Sequence, residues 1–542
     1  MQVTHAPGNN WQPSWSPDGK YIAYRSEAGA GLFIIPVLGA QGPGRRLTSF
    51  GYRPQWSPNG TQILFQTLTG LSTPGDTYYI VGIDGNPPEV VRDEFIGQHP
   101  GSVAWYPDGK QISLWEKRWD LARSSPNLWT VPLGGGPAMR WEIATELARE
   151  FEVISGGNQT CDVGDSFVWA PSGKAAYFAC EYRGATNIWK IELDAKTLQA
   201  TGVERLTAGP GPDEEPAISP DGRRVAFSAK STRVRIWILP FDSSTGQIRA
   251  KGVAVTSDAS EAYEPNLSPD GKKLAYSALR GGTWEIWTKS LPDGQERPLI
   301  SGDYNVEFPQ WSHDGKRLVY RRIRTNSSTP EWQFRVWSEE ARTDEPLTGT
   351  QAFGAPYDWW LDDKSLIVSR FHPPDGSAEI QRLWLDKMPH GEDAAQTIAS
   401  RPGYSLWQGH ISPDGKWLVF MGGNPRPFNN RSAIYVMSSG GGSWVRMTDA
   451  DYWTDKPRWS PDGKFIYYVT AKNGFFNIWA VRFDSANGKP VGMPFQVSAF
   501  KSPSLMFPSY IEPADISLAP GKLAVTLQET SGSIWVLDNV DQ

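Results

Sequence analysis

The chain has 542 residues, of which 12% are aromatic and 26 are tryptophan, and its formal net charge is -6 at pH 7. A mildly acidic chain without a Lys/Arg-dense stretch is a poor match to a nucleic-acid-binding surface. It contains no apolar run of about eighteen residues, so the sequence predicts no transmembrane helix.

One short pattern recurs along the chain, most clearly as Trp-Ser-Pro-Asp-Gly-Lys at 15–20 and again at 459–464. Each copy begins with an anchor residue. The anchors are Trp15, Trp56, Trp105, Trp169, Ile218, Leu267, Trp311, Trp359, Ile411, Trp459 and Ile516. In the turn that follows, Pro fixes φ, Asp bonds the local backbone and Gly accepts a positive φ. The repeated Asp is therefore interpreted as a turn residue and not as a metal ligand.

Each turn is followed by a short apolar strand, then by a strand with one aromatic residue at a fixed place, and then by a weaker outer strand. The aromatic residues are Phe33, Tyr79, Trp129, Trp189, Trp237, Trp287, Trp337, Trp384, Tyr435, Trp479 and Trp535. Such rings are expected to fill the gap between neighbouring sheets. A repeat of roughly 40–50 residues with four strands predicts an all-β fold, a β-propeller of about eleven four-stranded blades.

The two ends of the chain fit different strands of the repeat. Residues 2–5 match the outer strand, and residues 533–538 match the aromatic third strand, so the ends are expected to complete a blade and seal its edge. Because rings usually have about four to eight blades, we prefer two tandem rings of five and six blades. The predicted domains are 1–252 and 253–542, with the seam near 242–262.

A single large ring over 1–542 is the alternative arrangement. Pairing of 2–5 with 534–537 is expected of one ring, and pairing of 2–5 with 235–238 is expected of two. The longest interval between anchors contains 144–150, which is interpreted as an insertion in the form of a helical turn or an elongated loop.

The chain has two cysteines, Cys161 and Cys180. Pairing through the turn at 171–173 places Asp165 opposite Cys180 and Cys161 just beyond, so a disulfide and two free thiols both remain open. A disulfide would favour an extracytoplasmic location. The chain is expected to be soluble as given, and whether it is the extracytoplasmic domain of a longer bacterial protein stays open.

The order of these parts, from the Trp-Ser-Pro-Asp-Gly-Lys turn through the Ile-Trp strand to the Arg-Leu-Thr strand, resembles the TolB-type, WD40-like propeller repeat. The many repeats before Ser-Gly-Ser-Ile-Trp-Val-Leu-Asp-Asn-Val are similar to the sensor-like propellers at the C-terminus of bacterial winged-helix regulators and Ser/Thr kinases. That resemblance implies a binding module without catalytic residues of its own.

Catalytic and metal-binding patterns are missing from the sequence. There is no Gly-x-Ser-x-Gly turn for a nucleophile, and the six histidines do not have metal-ligand spacing. The glycine-rich stretches at 134–137 and 440–442 lie between strands and open no helix that could bind phosphate. No catalytic residue and no resident cofactor are predicted.

The segments just before each inner strand are the strongest candidates for a binding site, because propeller geometry gathers them at the mouth of the central channel. The predicted ligand-binding residues are Trp11, Tyr52, Arg53, Glu214, Glu215, Tyr263, Glu264, Glu307, Trp453 and Asp455. Their carboxylates and rings suit a cation such as Ca²⁺, a basic peptide or a polyol. The alternative is that they are solvated loop residues.

Two functions follow from this sequence. The first is a non-enzymatic, sensor-like or scaffold propeller that binds a protein, a peptide or a small ligand. The second is a carbohydrate-active lyase or glycosidase in which one protonated and one ionised carboxyl group at the mouth act together.

Overall fold

The computed structural model describes residues 10–26, 31–38, 44–66, 78–91, 100–116, 127–141, 163–182, 185–194, 196–209, 212–324, 331–347, 349–350, 353–372, 377–387, 394–423, 431–472, 475–502, 504–508 and 511–540. Regular structure in these ranges is β-strand, apart from one 3-10 turn at Leu385–Lys387. The predicted all-β propeller class is confirmed by the repeated antiparallel four-stranded sheets. None of the helical structure in the described ranges is long and apolar enough to cross a membrane.

The chain divides into two compact units, of which unit 1 comprises 1–231 with 530–542 and unit 2 comprises 232–529. The predicted division at 252 and 253 falls later in the chain, and it assigns the last residues to the second ring. The spacing of repeats along the sequence could not reveal this division, because residues 530–542 belong to unit 1 although they follow unit 2 in the chain.

Unit 1 contains four four-stranded antiparallel sheets in sequence order. Their strands are β1 Asn10–Trp15, β2 Tyr21–Ser26, β3 Gly31–Pro36, β4 Arg45–Arg46, β5 Tyr52–Trp56, β6 Gln62–Gln66, β7 Tyr78–Gly82, β8 Glu89–Val90, β9 Pro100–Trp105, β10 Gln111–Glu116, β11 Asn127–Pro132, β12 Met139–Arg140, β13 Val163–Trp169, β14 Ala175–Tyr182, β15 Ala185–Leu193 and β16 Ala200–Arg205. A further sheet begins with β17 Asp213–Ile218 and the first half of β18 Arg224–Asp242.

Unit 2 contains three further four-stranded sheets, one eight-stranded sheet whose two four-stranded halves are joined by a parallel bridge between Ala378 and Ser405, and one sheet that joins distant parts of the chain. The remaining strands are β19 Gln247–Ile248, β20 Val253–Ala254, β21 Ala262–Leu267, β22 Lys273–Arg280, β23 Thr283–Ser290, β24 Glu296–Ile300, β25 Asn305–Trp311, β26 Arg317–Arg324, β27 Glu331–Ser338, β28 Thr343–Pro346, β29 Phe353–Trp359, β30 Ser365–His372, β31 Ser377–Trp384, β32 Ala395–Ala399, β33 Ser405–Ile411, β34 Trp417–Gly423, β35 Ser432–Ser438, β36 Val445–Arg446, β37 Thr454–Trp459, β38 Phe465–Thr470, β39 Asn477–Asp484, β40 Lys489–Gln496, β41 Ile516–Ala519 and β42 Lys522–Asp538.

The joining sheet of unit 2 consists of β41, the first half of β42, the second half of β18 and β20. The first strands β21, β25, β29, β33, β37 and β41 contact one another in a closed cycle, because β41 also contacts β21. The arrangement of the whole chain as two rings or one stays a prediction. The number of blades in unit 1 stays a prediction.

Two long strands, β18 and β42, each begin in one unit and end in the other. Thr232–Asp242 of β18 lies in unit 2, and Thr530–Asp538 of β42 lies in unit 1. Within unit 2 the amide of Phe241 donates to the carbonyl of Gly521, and within unit 1 the amide of Val540 donates to the carbonyl of Arg223. Each unit therefore contains strands taken from two separate parts of the chain.

Residues 2–5 are predicted to pair either with 534–537 or with 235–238. Residues 2–5 lie outside the described residues. The outer neighbour of Trp237 and Ile238 in unit 2 is β20, so the place predicted for 2–5 in a two-ring arrangement is taken. Trp535, predicted to be covered between sheets, is 59% exposed on β42.

The core lies between neighbouring sheets. Leu32 and Ile34 of one sheet pack with Trp56 and Phe65 of the next, and similar clusters follow around each unit. Several anchor indoles also bind the preceding sheet: Trp359 Nε1 donates to the Gln310 carbonyl at 2.9 Å, and Trp459 Nε1 donates to the His410 carbonyl at 3.0 Å. The anchor thus combines burial of a large ring with a hydrogen bond that fixes the spacing of adjacent sheets.

The Pro-Asp-Gly turns have the predicted geometry. In the first turn Ser16 Oγ donates to Asp18 Oδ1 at 2.7 Å, and the amide of Lys20 donates to the same oxygen. These hydrogen bonds lower the pKa of Asp18. Equivalent bonds form at Asp221, Asp270, Asp314, Asp414 and Asp462.

Cys180 is disulfide-bonded, and it lies fully buried on β14 opposite Val163. The predicted partner position, Asp165, is displaced because a bulge shifts the register between Val163 and Phe167. Cys161 and the insertion at 144–150 lie outside the described residues.

Two departures from the repeat, in consecutive sheets, contact each other. His313 stands where other turns have Pro, and Asp363 stands where they have Gly, with a φ of 51°. Asp363 accepts hydrogen bonds from the amides of His313 and Asp314, both at 2.9 Å. Proline has no backbone N–H, so His313 brings a donor that the other turns lack. The Asp363 carboxylate, which the other turns also lack, accepts from this donor.

We predict that these two positions are energetically coupled. Asp363→Gly should cost about 1–2 kcal/mol by leaving two amides without their acceptor. The double variant His313→Pro/Asp363→Gly should cost less than the sum of the single variants, because it removes one of those amides and restores the repeat. Urea denaturation of all four proteins measures this, and costs that add within about 0.3 kcal/mol would contradict the coupling.

Candidate functional site

The predicted channel-mouth segments are parts of the innermost strands and not loops. Residues at equivalent places have positive φ values of 53–57°, namely Gln12, Arg53, Glu215, Glu264, Phe308, Gln408 and Lys456. Each lies at a register shift in its strand. All but Gln408 precede a proline, which disfavours the ordinary helical conformation in the residue before it. The prediction that these segments are loops is wrong. A proline at this place is compatible with the start of a strand and with a β-bulge inside a strand, and the structure has the bulge.

The ten predicted site residues fall into two groups. Trp11, Tyr52, Arg53, Glu214 and Glu215 belong to unit 1, and Tyr263, Glu264, Glu307, Trp453 and Asp455 belong to unit 2. Five of the predicted residues therefore lie in each unit.

In unit 1 the predicted residues pair with local partners. Lys230 Nζ lies 3.2 Å from Glu214 and 3.2 Å from Glu215, and the two carboxylates raise the pKa of Lys230 although burial opposes this. Arg25 lies over the ring of Tyr52 at 4.6 Å. The amide of Arg53 binds Gln12 Oε1 at 2.9 Å. Trp11 lies in β1 opposite Arg25.

In unit 2 Glu264 and Glu307 are neighbours on adjacent inner strands. Glu264 is buried, and its Oε2 accepts hydrogen bonds from Ser277 Oγ at 2.6 Å and from the amide of Phe308 at 2.7 Å. Glu307 forms an ion pair with Arg321 at 2.7 Å. Burial, followed by the charge of Glu307, raises the pKa of Glu264 to about 8. The raised pKa favours the protonated form of Glu264 at neutral pH.

Asp455 and Lys456 form a second buried pair on β37. Lys456 Nζ lies 3.4 Å from Asp455 Oδ2 and donates to the carbonyl of Glu512 at 2.8 Å. Trp453 Nε1 lies 3.3 Å from the same carboxylate. The indole, the carboxylate and the ammonium are thus held in one arrangement.

Tyr357 on β29 is a further buried polar side chain of unit 2. Burial raises the pKa of Tyr357 to about 12, and the charges of Arg321 and Asp455 also act on this phenol. Ser369 Oγ lies 3.4 Å from the hydroxyl.

Most of the predicted acidic residues have a cationic partner. Glu214 and Glu215 face Lys230, Glu307 faces Arg321 and Asp455 faces Lys456. Glu264 carries a proton at neutral pH, as its raised pKa requires. The acidic residues were visible in the sequence, but their cationic partners come from other strands or from the opposite side of a bulge.

A ring of polar side chains in unit 2 was missed by the sequence analysis. It occupies the position directly before each anchor and consists of Asn266, Gln310, Asp358, His410, Arg458 and Asp515. Asn266 Nδ2 binds Gln310 Oε1 at 2.6 Å, and Arg458 binds both carboxylate oxygens of Asp515 at 2.6 and 2.5 Å. The corresponding residues of unit 1 are Ser14, Gln55, Ala104, Val168 and Ala217. This contrast in side-chain type was the signal available in the sequence.

Aromatic rings lie beside these polar groups. Tyr263 packs edge-on against Trp284 at 5.6 Å, Arg321 lies over the ring of Phe308 at 4.7 Å, and Phe371 lies 6.3 Å from Trp407. Within the described ranges no group of three or more His, Cys, Asp or Glu side chains is placed to hold a metal ion.

Residues 158–329 match the family model of the TolB beta propeller domain. This segment carries TolB-type propeller repeats. The uncharacterized protein Atu1656 of Agrobacterium fabrum is 28% identical to the chain over 234 residues, which are 41% of this chain and 71% of that protein. The uncharacterized peptidase YuxL of Bacillus subtilis is 26% identical over 167 residues, which are 31% of this chain and 17% of that protein. TolB from Acinetobacter baumannii matches 57% of this chain and 76% of its own, with a TM-score of 0.37 and 16% identity.

We predict that Glu264→Gln stabilises unit 2 at alkaline pH. The folded-state pKa of Glu264 lies above its unfolded value, so the stability it contributes is fully present below about pH 4.5 and is lost as pH rises through 8. Glutamine can accept the bonds from Ser277 and Phe308 without ionising. Melting temperatures from pH 5 to pH 9 should separate the two proteins increasingly towards pH 9.

Glu215→Gln is the matched control, because Glu215 occupies the same bulge position in unit 1 and is exposed. Its melting curve should follow the wild type at every pH. A uniform loss of stability in Glu264→Gln across the whole range would show instead that the carboxyl group is needed for packing.

Proposed function

We propose that this chain is a non-enzymatic binding protein, a sensor-like or scaffold module, and that its ligand site is the channel mouth of unit 2. The partner classes are a protein, a peptide or a small ligand. The observation that supports this most directly is the presence of half-exposed rings and paired charges along one cycle of inner strands: Tyr263 on β21, Glu307 on β25 and Trp453 directly before β37.

The rigidity of this surface supports the same proposal. Each contributing side chain belongs to or directly precedes an inner strand held on both sides by other strands, and its charged groups already have partners. A surface fixed in this way loses little conformational entropy when it binds. Half-buried Tyr and Trp side chains combine apolar area with a polar end, which suits recognition of a partner.

The test compares equivalent positions in the two units. Tyr263→Ala removes a ring from the mouth of unit 2, and Tyr52→Ala removes the ring at the same register position of unit 1. Binding is first sought by thermal shift with short Lys/Arg-containing peptides and with neutral oligosaccharides, followed by pull-down. We expect Tyr263→Ala to weaken binding by about tenfold or more and Tyr52→Ala to leave it unchanged.

Equal losses in both variants would place the site elsewhere, provided that melting curves show both proteins to be folded. Glu307→Gln gives a second measurement, since it alters the charge of the mouth without removing a ring. Loss of binding in this variant, with Glu215→Gln unaffected, would support the same surface.

One observation favours the second candidate function, a carbohydrate-active enzyme. The raised pKa of Glu264 favours its protonated form, and Glu307 lies on the adjacent strand. A two-carboxylate mechanism needs one protonated carboxyl group beside a second one. Burial of Glu264 and the hydrogen bonds at its Oε2 weigh against direct contact with a substrate. We predict no turnover of acidic or neutral oligosaccharides. Turnover by the wild type that is abolished in both Glu264→Gln and Glu307→Gln would overturn the non-enzymatic proposal.

A further inference from the structure

His410 lies at the centre of a chain of polar side chains that crosses four inner strands of unit 2. It is 7% exposed, on β33. Its Nδ1 lies 3.5 Å from Asp358 Oδ2 on β29, and its Nε2 lies 2.6 Å from Arg458 Nη1 on β37. Arg458 continues the chain to Asp515, the residue before β41.

This geometry fixes the proton on His410. A guanidinium has only donors, so Nε2 of His410 must accept from Arg458 and cannot carry a proton itself. The single imidazole proton is therefore on Nδ1, where it faces Asp358. Burial, with the charge of Arg458, lowers the pKa of His410, and the hydrogen bond from His410 lowers the pKa of Asp358 although burial opposes this.

Arg458 also joins the strands at which unit 2 closes. Its two bonds to Asp515 connect β37 to β41, and the amide of Ile516, the first residue of β41, donates to the same Asp515 carboxylate at 2.7 Å. Lys456 makes a second connection from β37, to the carbonyl of Glu512. β41 belongs to the sheet assembled from distant parts of the chain, so this junction completes the cycle of inner strands.

We propose that His410 is a proton-operated latch on the closing sheet of unit 2: a proton added at Nε2 breaks the hydrogen bond from Arg458 and loosens the junction between β37 and β41. The reaction is a simple protonation, in which Nε2 gains a proton from solvent and no other bond forms. Two donors then face each other across the former hydrogen bond, and Arg458 has to move.

The groups that face His410 act in opposite directions. Asp358 on β29 and the Asp515 carboxylate favour the imidazolium, whereas Arg458 on β37 and loss of hydration oppose it. His313 acts on the same Asp358 from another sheet. Because the folded state holds this proton less tightly than the unfolded state, stability is fully present above about pH 6.5 and declines as pH falls below it.

Hydrogen exchange of the whole chain tests the latch without any ligand, and the outcome therefore does not depend on the proposed function. Exchange is measured at pH 7.5 and pH 5.5 and corrected for intrinsic rates. We expect opening of the amides of β33, β37, β41 and the first half of β42 to increase by about tenfold at pH 5.5. A pH effect spread equally over all sheets of unit 2 would overturn the proposal.

His410→Gln separates the latch from other titrating groups. A glutamine can accept from Arg458 and donate to Asp358 but cannot gain a proton, so the selective increase at pH 5.5 should disappear. His372→Gln is the matched control, since His372 is exposed beside Glu379, and it should behave as wild type. Retention of the selective increase in His410→Gln would contradict the assignment, and if that variant does not fold, the regional pattern in the wild type alone decides the matter.

Discussion

Contact between successive sheets is the constraint on which the rest of this protein depends. A four-stranded sheet of this kind is apolar on both faces, so each sheet must have a neighbour on either side. The anchor indoles satisfy this requirement in two ways, since Trp359 and Trp459 bury a large ring and bind the backbone of the preceding sheet. The cycle of inner strands in unit 2 leaves no sheet of that cycle without a neighbour.

The inner strands bring polar groups into a confined space, and this explains the paired charges. A carboxylate that loses hydration costs free energy unless an opposite charge or hydrogen-bond donors replace the water. Glu307 with Arg321, and Asp455 with Lys456, follow the first route, while Glu264 gains a proton instead. Such buried pairs contribute little net stability, but they define which side chains can occupy the channel. The polar surface of these inner strands is therefore fixed largely by electrostatic compensation.

The sequence predicted those features that repeat locally. The turn at Trp15–Lys20 and the strands after it are specified within a few residues, and their geometry agrees with the structure. The partners of Glu264 and Glu307 could not be predicted, because Ser277 and Arg321 lie on the second strands of their sheets. The bulges were signalled by Pro after Glu264 and Lys456, but a single position does not distinguish a bulge from a strand end. The polar ring that contains His410 could be found only by comparing the residues directly before all the anchors. These residues are polar throughout unit 2 but not in unit 1, so the pattern is visible only when the two units are considered separately.

The exchange of β18 and β42 between units has a consequence for synthesis of the chain. Unit 1 requires residues 530–538 and unit 2 requires residues 516–529, so both units need strands encoded near the C-terminal end. Vectorial synthesis from the N-terminus would therefore leave sheets of both units incomplete until residues 516–538 have been made. The edges of incomplete sheets are templates for association with other chains.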